Sequence, residues 1–214
     1  MENDIDRYLH IKGAGLPRGF FRGIKPWWNR PPFAAVMMAG RREASMAITQ
    51  DQKLLEALLD SWDRNNNILV NLLRAVPEGG LEARAVEGSM TVVEMFLHIH
   101  GSRHFVLSED APAFALAPLE KGWRETRDPD RIAEMLNESA RAVRAALKDR
   151  VETGTEMVVR YDHPILLLQH MVWHEGYHHG QIKLALKAMG KPLDDEEIGR
   201  VTWHLWFDKA GVGK

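Results

Sequence analysis

ILLLQHMVWHEGYHHGQIKLALKAM, residues Ile165 to Met189, is the stretch on which both the fold and the site turn. It is a mostly apolar run entered through Asp162-His163-Pro164 and left through Gly190 and Pro192. Those flanks are a helix start and a helix stop, so the run reads as one long helix. Inside it lies His174-Glu175-Gly176-Tyr177-His178-His179-Gly180-Gln181. Residues four apart stack on one face of a helix, so His174 and His178 aim two imidazoles at a common point. Neutral imidazole is the commonest side-chain ligand for zinc, nickel, copper and ferrous iron. A third histidine from another helix would complete a three-ligand site with one position open, the arrangement of catalytic rather than structural metal.

Helical spacing recurs on the N-terminal side of this run. Thr49 with Gln52 has the form of a capping box, followed by Leu55, Leu58, Leu59, Trp62, Leu69, Leu72 and Leu73. Pro77 and Gly79-Gly80 end that first helix. A second begins near Ser89 or Thr91, with Glu94 placed to complete a capping box with Thr91, and carries Val92, Met95, Phe96, Ile99 and Val106. A loop rich in Pro, Ala and Gly covers Asp110 to Arg127. Asp128-Pro129 then opens a third helix through Ile132, Leu136, Ala140, Val143 and Leu147. Thr155 to Tyr161 reads as a short extended segment, because Val158-Val159 favours strand. A fifth, shorter helix is expected from Asp195 to Ala210, with Trp203, Trp206 and Phe207 packed into the core. The expected fold is all-α: a four-helix bundle of the up-and-down type over residues 46–214, with an additional short C-terminal helix.

Residues 1–45 differ from the rest. Their Lys and Arg outnumber their acids, and Pro17, Pro26, Pro31 and Pro32 break any periodicity, so they read as an irregular N-terminal arm. Phe20, Phe21, Trp27 and Trp28 could dock on the body or on a partner. A second reading starts translation at Met46 and leaves the arm out of the native protein. A basic arm for nucleic acid is a third, against which the charges are sparse.

Composition narrows the function classes. The chain has 214 residues, 45% hydrophobic and 27% charged, enough for one domain with a buried core. A net charge of −2 gives no reason to expect nucleic acid or an anionic membrane surface as partner. There is no cysteine, which excludes thiolate ligands, disulfides and a cysteine nucleophile. Any metal would be held by His, Asp, Glu or water. No secretory signal pattern is seen and no run approaches a membrane span, so a cytoplasmic location is the expectation.

The ten histidines are unevenly placed. His98, His100 and His104 lie on the second helix, and His170, His174, His178 and His179 on the fourth. His174-Glu175-Gly176-Tyr177-His178 matches the metalloprotease string His-Glu-x-x-His. The surroundings do not support a protease: no downstream ligand follows, and such enzymes place the site in a mixed helix and sheet domain. On the second helix, geometry leaves His98 and His100 both open as the third ligand. His100 lies nearer the apolar stripe, whereas His98 sits beside Glu94 and Ser102.

Ser89-Met90-Thr91-Val92-Val93-Glu94-Met95-Phe96-Leu97-His98-Ile99 together with His174-Glu175-Gly176-Tyr177-His178-His179-Gly180-Gln181-Ile182 resembles the DinB/YfiT-like superfamily, over about Met46 to Leu193. The resemblance implies a bundle whose second helix carries one ligand histidine and whose later helix carries two. On it, His98, His174 and His178 are the metal ligands. It further implies a divalent metal, zinc or nickel foremost, a homodimer, and small-molecule chemistry that in characterised members uses a low-molecular-weight thiol. His179 stands where the superfamily often has Arg, and Met90 where Trp is frequent. Three functions are therefore carried forward: a metal-dependent thiol transferase acting on a small-molecule substrate, a metal-dependent hydrolase, and a non-catalytic metal-binding, stress-associated protein. Glu175 is expected to be a structural charge or a partner behind the ligands rather than a base, and Gln181 to donate a hydrogen bond near the site. His170 is expected beside the site or at the surface, and His179 to point away.

Overall fold

A computed structural model describes the backbone of residues 40–207 and the side chains of residues 50–207. The expected arm over residues 1–45 lies almost wholly outside the described residues. Contacts divide the chain into Met1–Glu43 and Ala44–Lys214, and the fold below is that of the second unit. Its helices are α1 (Gly40–Arg74), α2 (Val92–Asp110), α3 (Pro129–Thr153), α4 (Pro164–Ala188) and the short α5 (Asp195–Val201). No strand occurs among the described residues.

The helix ends follow local chemistry. Thr91 caps α2: its hydroxyl accepts from the Glu94 N–H, and the Glu94 carboxylate accepts from the Thr91 N–H at 2.7 Å. Asp128 caps α3 ahead of Pro129, and His163 caps α4 ahead of Pro164. At the far end of α4, Gly190 takes φ 74°. There the Gly190 N–H donates to Lys187 O at 3.1 Å and the Lys191 N–H to Leu186 O at 2.9 Å. These are the paired bonds of a glycine-closed helix end, a turn that a side chain would strain.

Three local expectations are corrected. The Thr49-Gln52 capping box is absent as a helix start, because α1 already runs through Thr49 from Gly40. Residues 155–161 form no strand. With no neighbouring strand to pair with, their N–H groups turn to the end of α2, where the buried Asp110 carboxylate accepts from Val159 N at 2.9 Å and Arg160 N at 2.6 Å. The C-terminal helix stops at Val201, well before Ala210. Thr202 leaves helical geometry and a short 3-10 turn, Trp203–Trp206, follows. Trp203, Trp206 and Phe207 are consequently exposed, while Ile198 alone of this region fills the core.

Cross-helix contacts also correct the helix directions. On α2 and α3, His100 meets Met135 and Arg103 meets Leu136 and Ser139, so residue numbers rise together and the two helices are parallel. From α1 to α3, Asn66 meets Asn137 and Trp62 meets Ala140, so numbers run oppositely. The bundle is therefore up-down-down-up, and the 111–128 connection carries the chain back along its length. Residues 111–128 are long enough to make that crossing, which a tight turn is not.

The core falls into two apolar halves. One contains Leu69, Leu72, Leu73, Phe96, Ile99, Leu136, Ile182 and Leu186. The other contains Leu55, Leu59, Trp62, Leu107, Val143, Leu147, Leu167 and Met171. Between them each of the four long helices contributes polar groups: Asn65 and Asn66, Arg103, Ser139, and Glu175, all buried. His98, His174 and His178 lie beside this layer. Replacing Thr91 by Ala removes half of the capping box and should cost about 1 kcal/mol in urea unfolding. The other half is pH-dependent: the Thr91 backbone N–H chiefly holds the Glu94 carboxyl below 4.5, so the stability that Glu94 contributes is full above that pH and is lost as the pH falls below it.

Candidate metal centre

α2 and α4 run antiparallel side by side, which sets His98 against the His174–His178 pair. His174 Nε2 lies 3.2 Å from His98 Nε2 and 3.1 Å from His178 Nε2. One ligand atom from each ring falls within 4.8 Å of the others. His178 is buried and His98 and His174 are half-buried. Among the described residues no fourth His, Asp or Glu joins the group.

The tautomer of His178 is set from behind. Its Nδ1–H donates to Gln181 Oε1 at 2.8 Å, and the Gln181 amide is oriented by donating its Nε2–H to the Tyr177 hydroxyl at 2.8 Å. Nε2 of His178 therefore carries a lone pair aimed at its two neighbours. Gln181 thus donates a hydrogen bond near the site, as expected, to Tyr177, and it also accepts one from the His178 ring. His174 Nε2 faces two nitrogens at once, and a single N–H there could serve only one of them. At least one close nitrogen pair would meet lone pair to lone pair, an arrangement that a shared cation relieves. Nitrogens about 2.0–2.1 Å from a tetrahedral ion would sit about 3.4 Å apart, close to the spacing found. The donor set thus fits a divalent ion, and the three histidines could hold one.

Burial keeps these rings neutral. Desolvation, reinforced by His178 and His98, lowers His174 to about 3; desolvation and then His98 lower His178 to about 4. His98 is lowered by burial and next by the charge of Arg124. All three present lone pairs rather than protons near neutral pH.

The remaining histidines separate cleanly from the site. His100, the rival on α2, is buried and donates from Nδ1 to Met135 O at 2.8 Å, with its ring edge against Trp123. His104 bonds Ala117 O at 2.9 Å and so tethers the loop. His170 is hydrogen-bonded to the Tyr161 hydroxyl at 2.9 Å, one turn before His174. His179 faces Trp203, away from the cluster.

Glu175 is turned into the core. Its carboxylate takes Arg103 Nε on Oε1 at 2.6 Å, and Arg103 Nη2 and Asn65 Nδ2 on Oε2 at 2.8 and 2.5 Å. With both oxygens committed it cannot be the base of a metalloprotease, and its role is structural. Arg103 spends its remaining donors on Asn66 Oδ1, Leu136 O and Ser139 Oγ, and stacks 4.8 Å over the Trp62 ring. Sequence reasoning missed Arg103. Its signal was present: it continues the apolar stripe Phe96, Ile99, Val106 at helical spacing, where a cation must be paired.

Fold and site together define a helical bundle with a three-histidine centre between two antiparallel helices. Comparison with known families matches the DinB family over residues 49–195, and the chain belongs to that family. No curated protein and no solved structure matches it.

Replacing Arg103 by Met strands the buried Glu175 carboxylate and should destabilise the protein by about 3–5 kcal/mol in urea unfolding. Replacing Glu175 by Leu in the same chain should recover much of that loss. The metal-free protein should also lose stability as the pH falls from 6.5 toward 4. Its unfolded chain takes up protons that folded His100 (about 4), His174 and His178 refuse, and unfolding midpoints across that range measure the slope.

Proposed function

We propose that the protein is a metal-dependent enzyme acting on a small molecule, of the thiol-dependent transferase type, with zinc or nickel on His98, His174 and His178. The observation that carries this reading is the convergence of three neutral imidazoles with no fourth protein ligand among the described residues. A closed four-ligand shell would suit a structural ion, whereas three ligands leave a place for a reactant. A divalent ion there supplies Lewis acidity, which makes a thiol an effective nucleophile near neutral pH. The chain has no cysteine, so the thiol belongs to the substrate.

The chain's own residues do the rest. Gln181 and Tyr177 hold His178 in the tautomer that exposes Nε2. The Arg103–Glu175 pair fixes α4 against α2, and with it the spacing of His98 from His174. In the transfer, the thiol proton leaves to solvent and the sulfur lone pair forms a carbon–sulfur bond at the electrophile. The leaving group departs with the electron pair of the bond that breaks. Trp173 and Tyr177, stacked with ring centroids 6.3 Å apart on the exposed side of α4, offer an apolar surface beside His178.

Elemental analysis of the natively purified protein tests the reading, beside His98→Ala, His174→Ala and His178→Ala, with His204→Ala as control. About one ion per chain is expected in wild type and control, and a loss of most of it in the other three, since each removes one of three ligands. Metal retained in all three variants would end the reading. Thiol conjugation to a reactive halide should fall with the metal.

A further inference from the structure

The geometry points to Arg124 as an anchor for a carboxylate on the small molecule taken by the three-histidine centre; the inference rests on the function proposed above and names the charge of its substrate. The 111–128 connection passes over α2 in a 3-10 turn, Trp123–Glu125, entered through Gly122 at φ 82°. Trp123 is wedged onto α2 at Gly101, where a Cβ would lie 2.9 Å from the tip of the indole ring, so a larger residue would push the loop away. Gly101 follows His98 by three residues and shares its face of the helix. The Trp123 ring also meets the His100 ring edge-on at 5.7 Å. The loop is thereby fastened next to His98.

Arg124 rides on this fixed ring, its guanidinium centre 5.1 Å from the Trp123 ring centroid. The Arg124 carbonyl accepts from Arg127 Nη1 at 3.2 Å. Two cations further along the loop are paired, Arg127 with Glu82 at 2.5 Å and Arg131 with Glu134 at 3.1 Å. Arg124 is exposed and has no carboxylate partner among the described residues. A guanidinium held over an aromatic face by a cation–π contact still has N–H groups for the bidentate grip that suits a carboxylate. A cation left unneutralised on a loop docked one helical turn from His98 selects a ligand with one end for the metal and an anionic group at the other.

The test uses the full protein loaded with cobalt(II), whose near-ultraviolet charge-transfer band reports a thiolate joining the metal. 3-Mercaptopropionate carries a carboxylate, and 2-mercaptoethanol is its neutral counterpart. In Arg124→Gln the affinity for 3-mercaptopropionate should fall about tenfold, the loss of one charged hydrogen-bonded pair, while that for 2-mercaptoethanol stays unchanged. Arg124→Lys should keep part of the preference, because charge survives and the planar grip does not. Equal responses of the two thiols to Arg124→Gln, or no response from either, would overturn the anchor and leave the thiol reading standing. A wild-type protein that binds cobalt but gives no band with either thiol would overturn both.

Discussion

A buried ion pair sits at the centre of this bundle. Arg103 and Glu175 meet in two parallel hydrogen bonds with both side chains fully removed from water. Charges taken out of water are costly, and they persist only where each donor and acceptor is matched. The match needs all four helices: Asn65 and Asn66 from α1, Leu136 O and Ser139 from α3, with Arg103 on α2 and Glu175 on α4. Apolar side chains above and below tolerate small slips along a helix, and this layer does not. It therefore sets the register of α2 against α4, and that register brings His98 to the His174–His178 pair.

The site inherits its properties from that position. Being next to a polar layer inside a bundle, the imidazoles are dehydrated enough to stay neutral, yet one side remains open. Glu175 and His174 are chain neighbours that project about 100° apart around the helix. One helix thus supplies the structural charge on its inner face and two of the three clustered imidazoles a fraction of a turn away. The same adjacency makes His-Glu-x-x-His a misleading string here, since the Glu that would serve a protease is consumed in the core. Gln181 and Tyr177 extend the arrangement outward, trading hydrogen bonds so that the nitrogen of His178 nearest its neighbours is the unprotonated one.

Local signals in the chain were read well where the chemistry was local. The Thr91–Glu94 box, the Asp128-Pro129 start, and the α4 run closed by Gly190 all depend on residues within a few positions of one another, and all stand where the pattern put them. The misreadings arose where a distant partner intervened. Val158-Val159 favours strand, but Asp110 claims the nearby N–H groups. The aromatics at 203–207 look like core, but α5 ends at Val201 and leaves them outside. The long 111–128 loop was recognised as a loop, and its consequence, parallel α2 and α3, was not.

By itself the sequence determined the all-helical character, most helix ends and the pairing of His174 with His178, because each rests on a periodicity or cap that one helix contains. The choice of His98 over His100 did not follow from spacing, since both lie on α2 within a turn. The family resemblance favoured His98, and the tertiary structure supplies the placement: packing of α2 on α3 buries His100 against Met135 O, and packing of α2 on α4 turns His98 toward the other two rings. Likewise the place of Arg103 as the keystone, and of Arg124 on the Trp123 ring, depends on which helix or loop crosses which. Such facts are properties of contacts between segments far apart in the chain, and no local pattern records them.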